Sequence, residues 1–172
     1  MSVYKTMPVS RTKDTYAKSL YEFMKEMLVV CPACGKKAVI KMPDTDKQQE
    51  SDTRLICTNC GYSKRLDEMP DLILHVSKYK AIKGKIQVVG GAIDPWFHLP
   101  LWLKVDCCEH VLWAYNYEHL YFLKTHIGAK LRERNTVENS NKSIGSRLPK
   151  WMTSKNNRDT VLKTIDQLIA KK

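Results

Sequence analysis

The chain has 172 residues, 43% of them hydrophobic and 27% charged, which suits a soluble globular protein of one moderate domain or a small module joined to a larger one. No apolar run approaches the ~20 residues of a membrane helix, and the first twenty residues carry no apolar stretch of signal-peptide type, so a cytoplasmic protein with no membrane partner is expected. The net charge of +11 is uneven: residues 1–66 and 127–172 are basic while 67–126 are nearly neutral, an electrostatic footprint for an anionic partner.

Residues 13–29 (KDTYAKSLYEFMKEMLV) predict a helix, because Tyr16, Leu20, Phe23, Met24, Met27 and Leu28 recur at three- and four-residue steps. Ser10 or Thr12 is its expected cap.

Cys31, Cys34, Cys57 and Cys60 follow in two matched loops, CPACG and CTNCG. Two residues between cysteines let both thiolates of one tight turn reach a single tetrahedral ion, and two such turns close its shell. A closed shell leaves no position for water or substrate, so one structural Zn2+ is expected. In a reducing compartment paired CxxC motifs read as metal ligands before disulfides, and a redox CxxC normally occurs once. Strands are expected at 39–42 and 53–56, with a third at 62–65 and an exposed polar loop (PDTDKQQESD) between the first two. Residues 31–66 resemble a zinc ribbon of the type found in the transcription factor TFIIB. That resemblance implies metal and fold; such ribbons serve DNA, RNA and protein contacts alike.

Residues 67–82 fit either a strand or a short helix at Leu72, Ile73, Leu74 and Val76. Lys85-Ile86-Gln87-Val88-Val89 predicts a strand ending at a turn or bulge, Gly90-Gly91. Asp94-Pro95 is a turn signal. Alternation at 101–107 and 111–115 predicts two strands joined near Cys108-Glu109-His110. Asn116 is an expected N-cap for a helix reaching about Arg134, with Leu120, Leu123, Ile127 and Leu131 as its apolar stripe. A short helix broken at Pro149 is expected in 143–152, and a last helix over 157–170. The run GGAIDPWFHLPLWL, CCEH, LWAYN, SRLPKWM and KNNR over 88–158 looks similar to small uncharacterised bacterial proteins with an N-terminal ribbon. That similarity carries no activity or catalytic residue.

The expected fold class is therefore α+β: an N-terminal helix (1–30), a four-cysteine zinc ribbon (31–66), and a small antiparallel sheet with basic C-terminal helices (67–172). Cys107, Cys108 and His110 are candidates for a second metal site, although adjacent cysteines in a strand face opposite ways. A buried cysteine beside a surface histidine is the simpler reading. His119 and His126 share one helix side, but no nucleophile, metalloprotease or phosphate-loop motif accompanies them. Eight of the 15 aromatics lie within 96–122, a nearly neutral stretch better suited to core than to base stacking.

No enzyme and no small-molecule substrate are expected. The first reading is a non-catalytic regulatory or accessory protein that binds nucleic acid through Lys64, Arg65, Arg132, Arg134, Arg147, Lys150, Trp151, Lys155 and Arg158. The alternative is an inhibitor or adaptor of an acidic protein, such as an immunity protein that neutralises a bacterial toxin. An enzyme with an unrecognised site comes third.

Overall fold

The computed structural model describes residues 11–12, 18–43, 52–78, 80–129, 131–132 and 143–171. In chain order these give β1 (Arg11–Thr12), a single 3-10 turn (Leu20–Phe23), β2 (Glu26–Val30), β3 (Lys37–Lys41), β4 (Arg54–Ile56), β5 (Ser63–Arg65), β6 (Leu72–Val76) and β7 (Ala81–Gly84). There follow β8 (Leu103–Cys107), β9 (His110–Ala114), α1 (Tyr117–Gly128), β10 (Leu131–Arg132), α2 (Ile144–Arg147), α3 (Lys150–Thr153) and α4 (Arg158–Ala170). The fold is α+β, with antiparallel sheets around the four-cysteine cluster and helices toward the C-terminus. A short parallel pair joins β1 to β10. No helix among the described residues is long and apolar enough to cross a membrane.

The N-terminal helix expected over 13–29 does not form in its described part; 13–17 lie outside the described residues. Ser19 opens the 3-10 turn with a reciprocal cap, its backbone N–H donating to Glu22 Oε1 at 2.6 Å. The chain then becomes β2, the first strand of a four-stranded sheet ordered β2-β3-β4-β5. Met27, Leu28 and Val29 are all buried because both faces of β2 are covered, so the run shows no two-residue alternation. Helix and doubly buried strand look alike in such a run, and tertiary pairing decides.

Pairing occurs on both edges of β2. On one side all five residues pair with β3, from Glu26–Lys41 to Val30–Lys37. On the other, Trp102 N–H donates to Leu28 O at 2.9 Å, Leu28 N–H to Tyr115 O at 2.7 Å, and Val30 N–H to Pro100 O at 2.9 Å. Asn116 adds its side-chain amide, donating to Phe23 O at 3.0 Å and Glu26 O at 2.8 Å. The ribbon is thus stitched to the C-terminal half by backbone bonds.

β8 and β9 form a hairpin whose two-residue turn, Cys108-Glu109, has φ of 52° and 63°. Two left-handed residues match the twist of a tight hairpin. Leu103, Cys107, Leu112 and Ala114 point inward and pack on α1 and α4 with Leu120, Leu123, Ile127, Val161, Ile165 and Leu168. Asn116 caps α1, its Oδ1 accepting from His119 N–H at 2.8 Å. The helix ends at Gly128, earlier than the expected Arg134, and Leu131 lies in β10 instead. Pro149 separates α2 from α3, as its missing N–H and ring require.

A buried loop completes the core around the ribbon. Asp94, wholly buried, accepts from Trp96 N–H (2.9 Å), Phe97 N–H (2.7 Å) and Leu99 N–H (2.6 Å). Burial pushes its carboxyl above the ordinary carboxylate range, and the three N–H groups pull it back. That turn seats Trp96 and Phe97 against Phe23, Met24, Tyr115 and the ribbon's Ile40 and Leu55 in one cluster.

Residues 72–76 resolve as a strand, β6, paired with β7 and, among the described residues, with no other strand. The pairing slips at Leu74, a bulge. Leu74 leans over Gly84, where an added Cβ would sit 2.9 Å from its Cδ1. The strand expected at Lys85–Val89 does not form: these residues pair with no strand among the described residues.

Candidate metal centre and basic surface

The two knuckles are near copies. In the first, Cys31 N–H donates to Lys36 O at 2.8 Å and Gly35 N–H to Cys31 O at 2.9 Å; in the second, Cys57 N–H donates to Tyr62 O at 2.8 Å and Gly61 N–H to Cys57 O at 3.0 Å. Gly35 and Gly61 take φ of 70° and 74°, a left-handed conformation that glycine adopts without a Cβ penalty. The turns aim four Sγ atoms at one point, all within 4.8 Å of one another. Cys31–Cys60 and Cys34–Cys57 are each 3.7 Å apart. Four thiolates at ~2.3 Å from a tetrahedral ion stand about 3.8 Å apart, so the spacing suits one ion.

The surroundings favour thiolate on one side of the cluster. The backbone N–H of Lys36, with bonds from the neighbouring thiols, brings the Cys34 thiol down to about 7. At Cys60 the backbone N–H of Tyr62 acts in the same sense, but desolvation and the other three sulfurs outweigh it and the thiol is pushed up to about 12. Four thiols crowded together resist ionising together without a cation among them. Asn59 adds an outer bond, its amide donating to Cys34 Sγ at 3.6 Å while Lys36 Nζ donates to its Oδ1 at 3.1 Å. Cys31 and Cys57 are buried beside Ile40 and Leu55, so the cluster closes one end of the ribbon's core. The donor set, the spacing and the antiparallel hairpins around it are consistent with a zinc ribbon holding a single metal ion.

Comparison with protein-family models, with curated proteins and with solved structures found no match.

No second metal site gathers at the other cysteines: among the described residues only the ribbon cysteines bring three or more ligand atoms together. Cys107 Sγ lies 3.7 Å from Cys108 Sγ and 3.5 Å from Thr164 Oγ1, inside the helix-facing core. Burial raises the Cys108 thiol. His110 is occupied otherwise, stacked on Trp151 at 4.9 Å between ring centres.

His119 and His126 are core residues. His119 stacks on Phe23 at 4.8 Å and its Nδ1 accepts from Tyr115 N–H at 3.3 Å; His126 stacks on Phe122. Burial lowers the His119 pKa from 6.5 to about 3, so its ring stays neutral at ordinary pH. A base depressed in the folded state stabilises the fold above its unfolded pKa, and that contribution is lost as pH falls from 6.5 toward 3. Between pH 7.5 and 5.5 the protein should lose about 1 kcal/mol through this ring. Urea unfolding of the native chain and of His119→Asn, whose amide oxygen can accept the Tyr115 N–H, measures it. An undiminished pH slope in the variant would show that the ring is not responsible.

The sequence-predicted partner residues fall on separate elements. Arg65 is committed locally, with Nε 3.0 Å and a terminal nitrogen 2.6 Å from the two Asp67 oxygens, and its backbone N–H donates to Glu68. Lys64 lies beside it on β5, the outer strand of the ribbon sheet, and is half-buried. Arg147, Lys150 and Lys155 are exposed and Arg158 half-buried along 147–158, a basic run on α2, α3 and the start of α4. Trp151 packs on the helix-facing core, and its carbonyl accepts from Asn157 at 3.0 Å, which makes it an anchor for this run. Arg132 lies in β10, where only its backbone is described; Arg134 lies outside the described residues.

The surface that sequence reasoning missed is the β6–β7 hairpin. Leu72, Ile73, Leu74, Val76 and Ile82 are exposed, with Ile73 at 62% and Val76 at 66%, and Ile86, Val88 and Val89, which follow in sequence, are exposed as well. Periodicity could not reveal it, because a short apolar run reads as buried whether or not anything covers it. The hairpin is held at its base, where Lys85 Nζ donates to Met69 O and Asp71 Oδ1, both at 2.9 Å, and His98 Nε2 meets Ile86 O at 2.9 Å.

Proposed function

We propose that this chain is a non-catalytic binding module, stiffened by one structural zinc ion, whose partner is an acidic protein. The observation that carries this reading is the apolar β6–β7 hairpin with its neighbouring lysines. A lone two-stranded hairpin is marginal in water, and a contiguous exposed apolar patch on a soluble protein marks an interaction site. Aliphatic side chains offer nothing for bases to stack on, whereas a protein surface covers them well. The TFIIB-type ribbon resemblance supports zinc as the ion and a scaffolding role for the ribbon, and the proposed setting is the cytoplasm.

The test is co-purification from the native cell with nuclease present, followed by reconstitution of a 1:1 complex. One acidic protein partner should survive nuclease, and Ile73→Asp with Val76→Asp should weaken it at least 100-fold, each residue acting as an apolar hot spot of ~2 kcal/mol or more. Unchanged affinity in the double variant would overturn the reading. Nucleic acid is the second reading, favoured by the basic run at Arg147, Lys150, Lys155 and Arg158. It predicts a complex lost on nuclease treatment, with affinity falling steeply as salt rises.

A further inference from the structure

We infer that Cys107 and Cys108 form a dithiol site at the turn of the β8–β9 hairpin that chelates a monosubstituted trivalent arsenical, a soft centre with two exchangeable positions. The site is separate from the β6–β7 surface and does not depend on it.

Adjacent cysteines along a strand point to opposite faces. Here β8 ends at Cys107, and Cys108 is the first residue of the turn, with φ of 52°. The left-handed backbone brings the second sulfur back beside the first, and the two Sγ atoms stand 3.7 Å apart. Cys107 is 5% exposed, and its sulfur lies 3.5 Å from Thr164 Oγ1, which itself donates to Thr160 O at 2.8 Å. Cys108 is half-buried and reaches solvent. A ligand therefore meets Cys108 first and closes on a second sulfur already in place.

The donor set selects the ligand. Among the described residues no third histidine, cysteine or carboxylate ligand atom gathers with these two sulfurs, so a zinc shell cannot close here. His110 pairs with Cys107 across the turn, but its ring is stacked on Trp151. Two thiols without a third donor suit a soft, sulfur-seeking centre that needs two sulfurs and nothing else. A monosubstituted As(III) compound, R–As(OH)2, is such a centre, because its third bond is fixed to carbon. Two As–O bonds break and two As–S bonds form, and each S–H proton leaves with one hydroxyl group as water. Arsenic stays trivalent and no electron is transferred.

The experiment uses the full, zinc-loaded chain and equimolar phenylarsine oxide, whose hydrate carries two hydroxyl groups on arsenic. Native mass spectrometry should show one phenylarsenic group per chain with the zinc ion retained. Tryptic mapping should place it on 105–124, which holds Cys107 and Cys108 and no other cysteine. Cys107→Ser and Cys108→Ser should each weaken binding about 100-fold or more, because the second bond of a chelate forms within one complex. The native chain supplies a further measurement that needs no variant: dimercaptopropanol should strip the group, whereas a monothiol at the same thiol concentration should leave it bound. Absence of an adduct would overturn the inference, and so would an adduct on 31–60 with loss of zinc. Unchanged binding in either serine variant, or release by the monothiol, overturns it as well.

Discussion

Cys57→Ser is expected to drop bound zinc from one ion per chain to none and to unfold the ribbon. Cys57 is 1% exposed and its sulfur is half of a 3.7 Å pair with Cys34. A serine hydroxyl stays protonated and cannot close the tetrahedron as a thiolate does. Structural zinc contributes roughly 10–16 kcal/mol in small metal-dependent folds, as much as or more than the ~5–15 kcal/mol net stability of a typical domain. Without the ion, the crowded sulfurs of Cys31, Cys34 and Cys60 lose the charge that holds them together. Zinc quantification on the purified variant, beside a thermal melt, measures both effects. Cys107→Ser is the matched control and should keep its zinc, since that sulfur faces Thr164. A Cys57→Ser protein with full zinc and the native melting temperature would remove the ribbon cysteines from any metal role.

Asp94→Ala should cost about 3–5 kcal/mol, in a region far from the cysteines in sequence. Three backbone N–H groups converge on this one carboxylate, and each buried donor left without a partner costs about 1–3 kcal/mol. The loss does not stay local, because the turn seats Trp96 and Phe97 in the core shared with the ribbon. For a chain this size the melting temperature should fall by about 10 °C. Asp94→Asn should lie between: its single carbonyl oxygen can serve Trp96 and Phe97, which share Oδ1, but its amide meets the Leu99 N–H with another donor. Calorimetry of the three proteins orders them. Asparagine as damaging as alanine would mean that carboxylate charge, not acceptor count, holds the turn.

Where a feature depends on its own few residues, the sequence is a good guide. The knuckle spacing, the turn at Cys108-Glu109, the Asn116 cap and the break at Pro149 are all local chemistry. Pairing with distant segments is not. Residues 26–30 carry a helical stripe, yet their neighbours in space are Lys37–Lys41 on one edge and 100–102 on the other, and those decide in favour of strand. Lys85–Val89 shows the converse: a strand pattern that pairs with no strand among the described residues. Helix α1 stops at Gly128 although the apolar spacing runs on to Leu131, because Leu131 pairs with Arg11. At the candidate metal centre all four cysteines were legible, because two tight turns encode them. The basic residues were countable, but charge alone does not say which of them remain available; Arg65 is spent on Asp67. The apolar hairpin was illegible as a surface because burial belongs to the whole fold.

The double pairing of β2 also sets an order of events during synthesis. All four cysteines have been made by residue 60, but the segments that cover the other edge of β2 arrive only at 100–102 and 115. For the intervening stretch of translation, Met27, Leu28 and Val29 lie along an uncovered apolar edge, the kind of surface on which nascent chains associate wrongly. A ribbon already closed on its ion would hold β2 against β3 through that interval. The cysteines would then act as an early clasp, guarding a half-built chain until its remaining strands emerge.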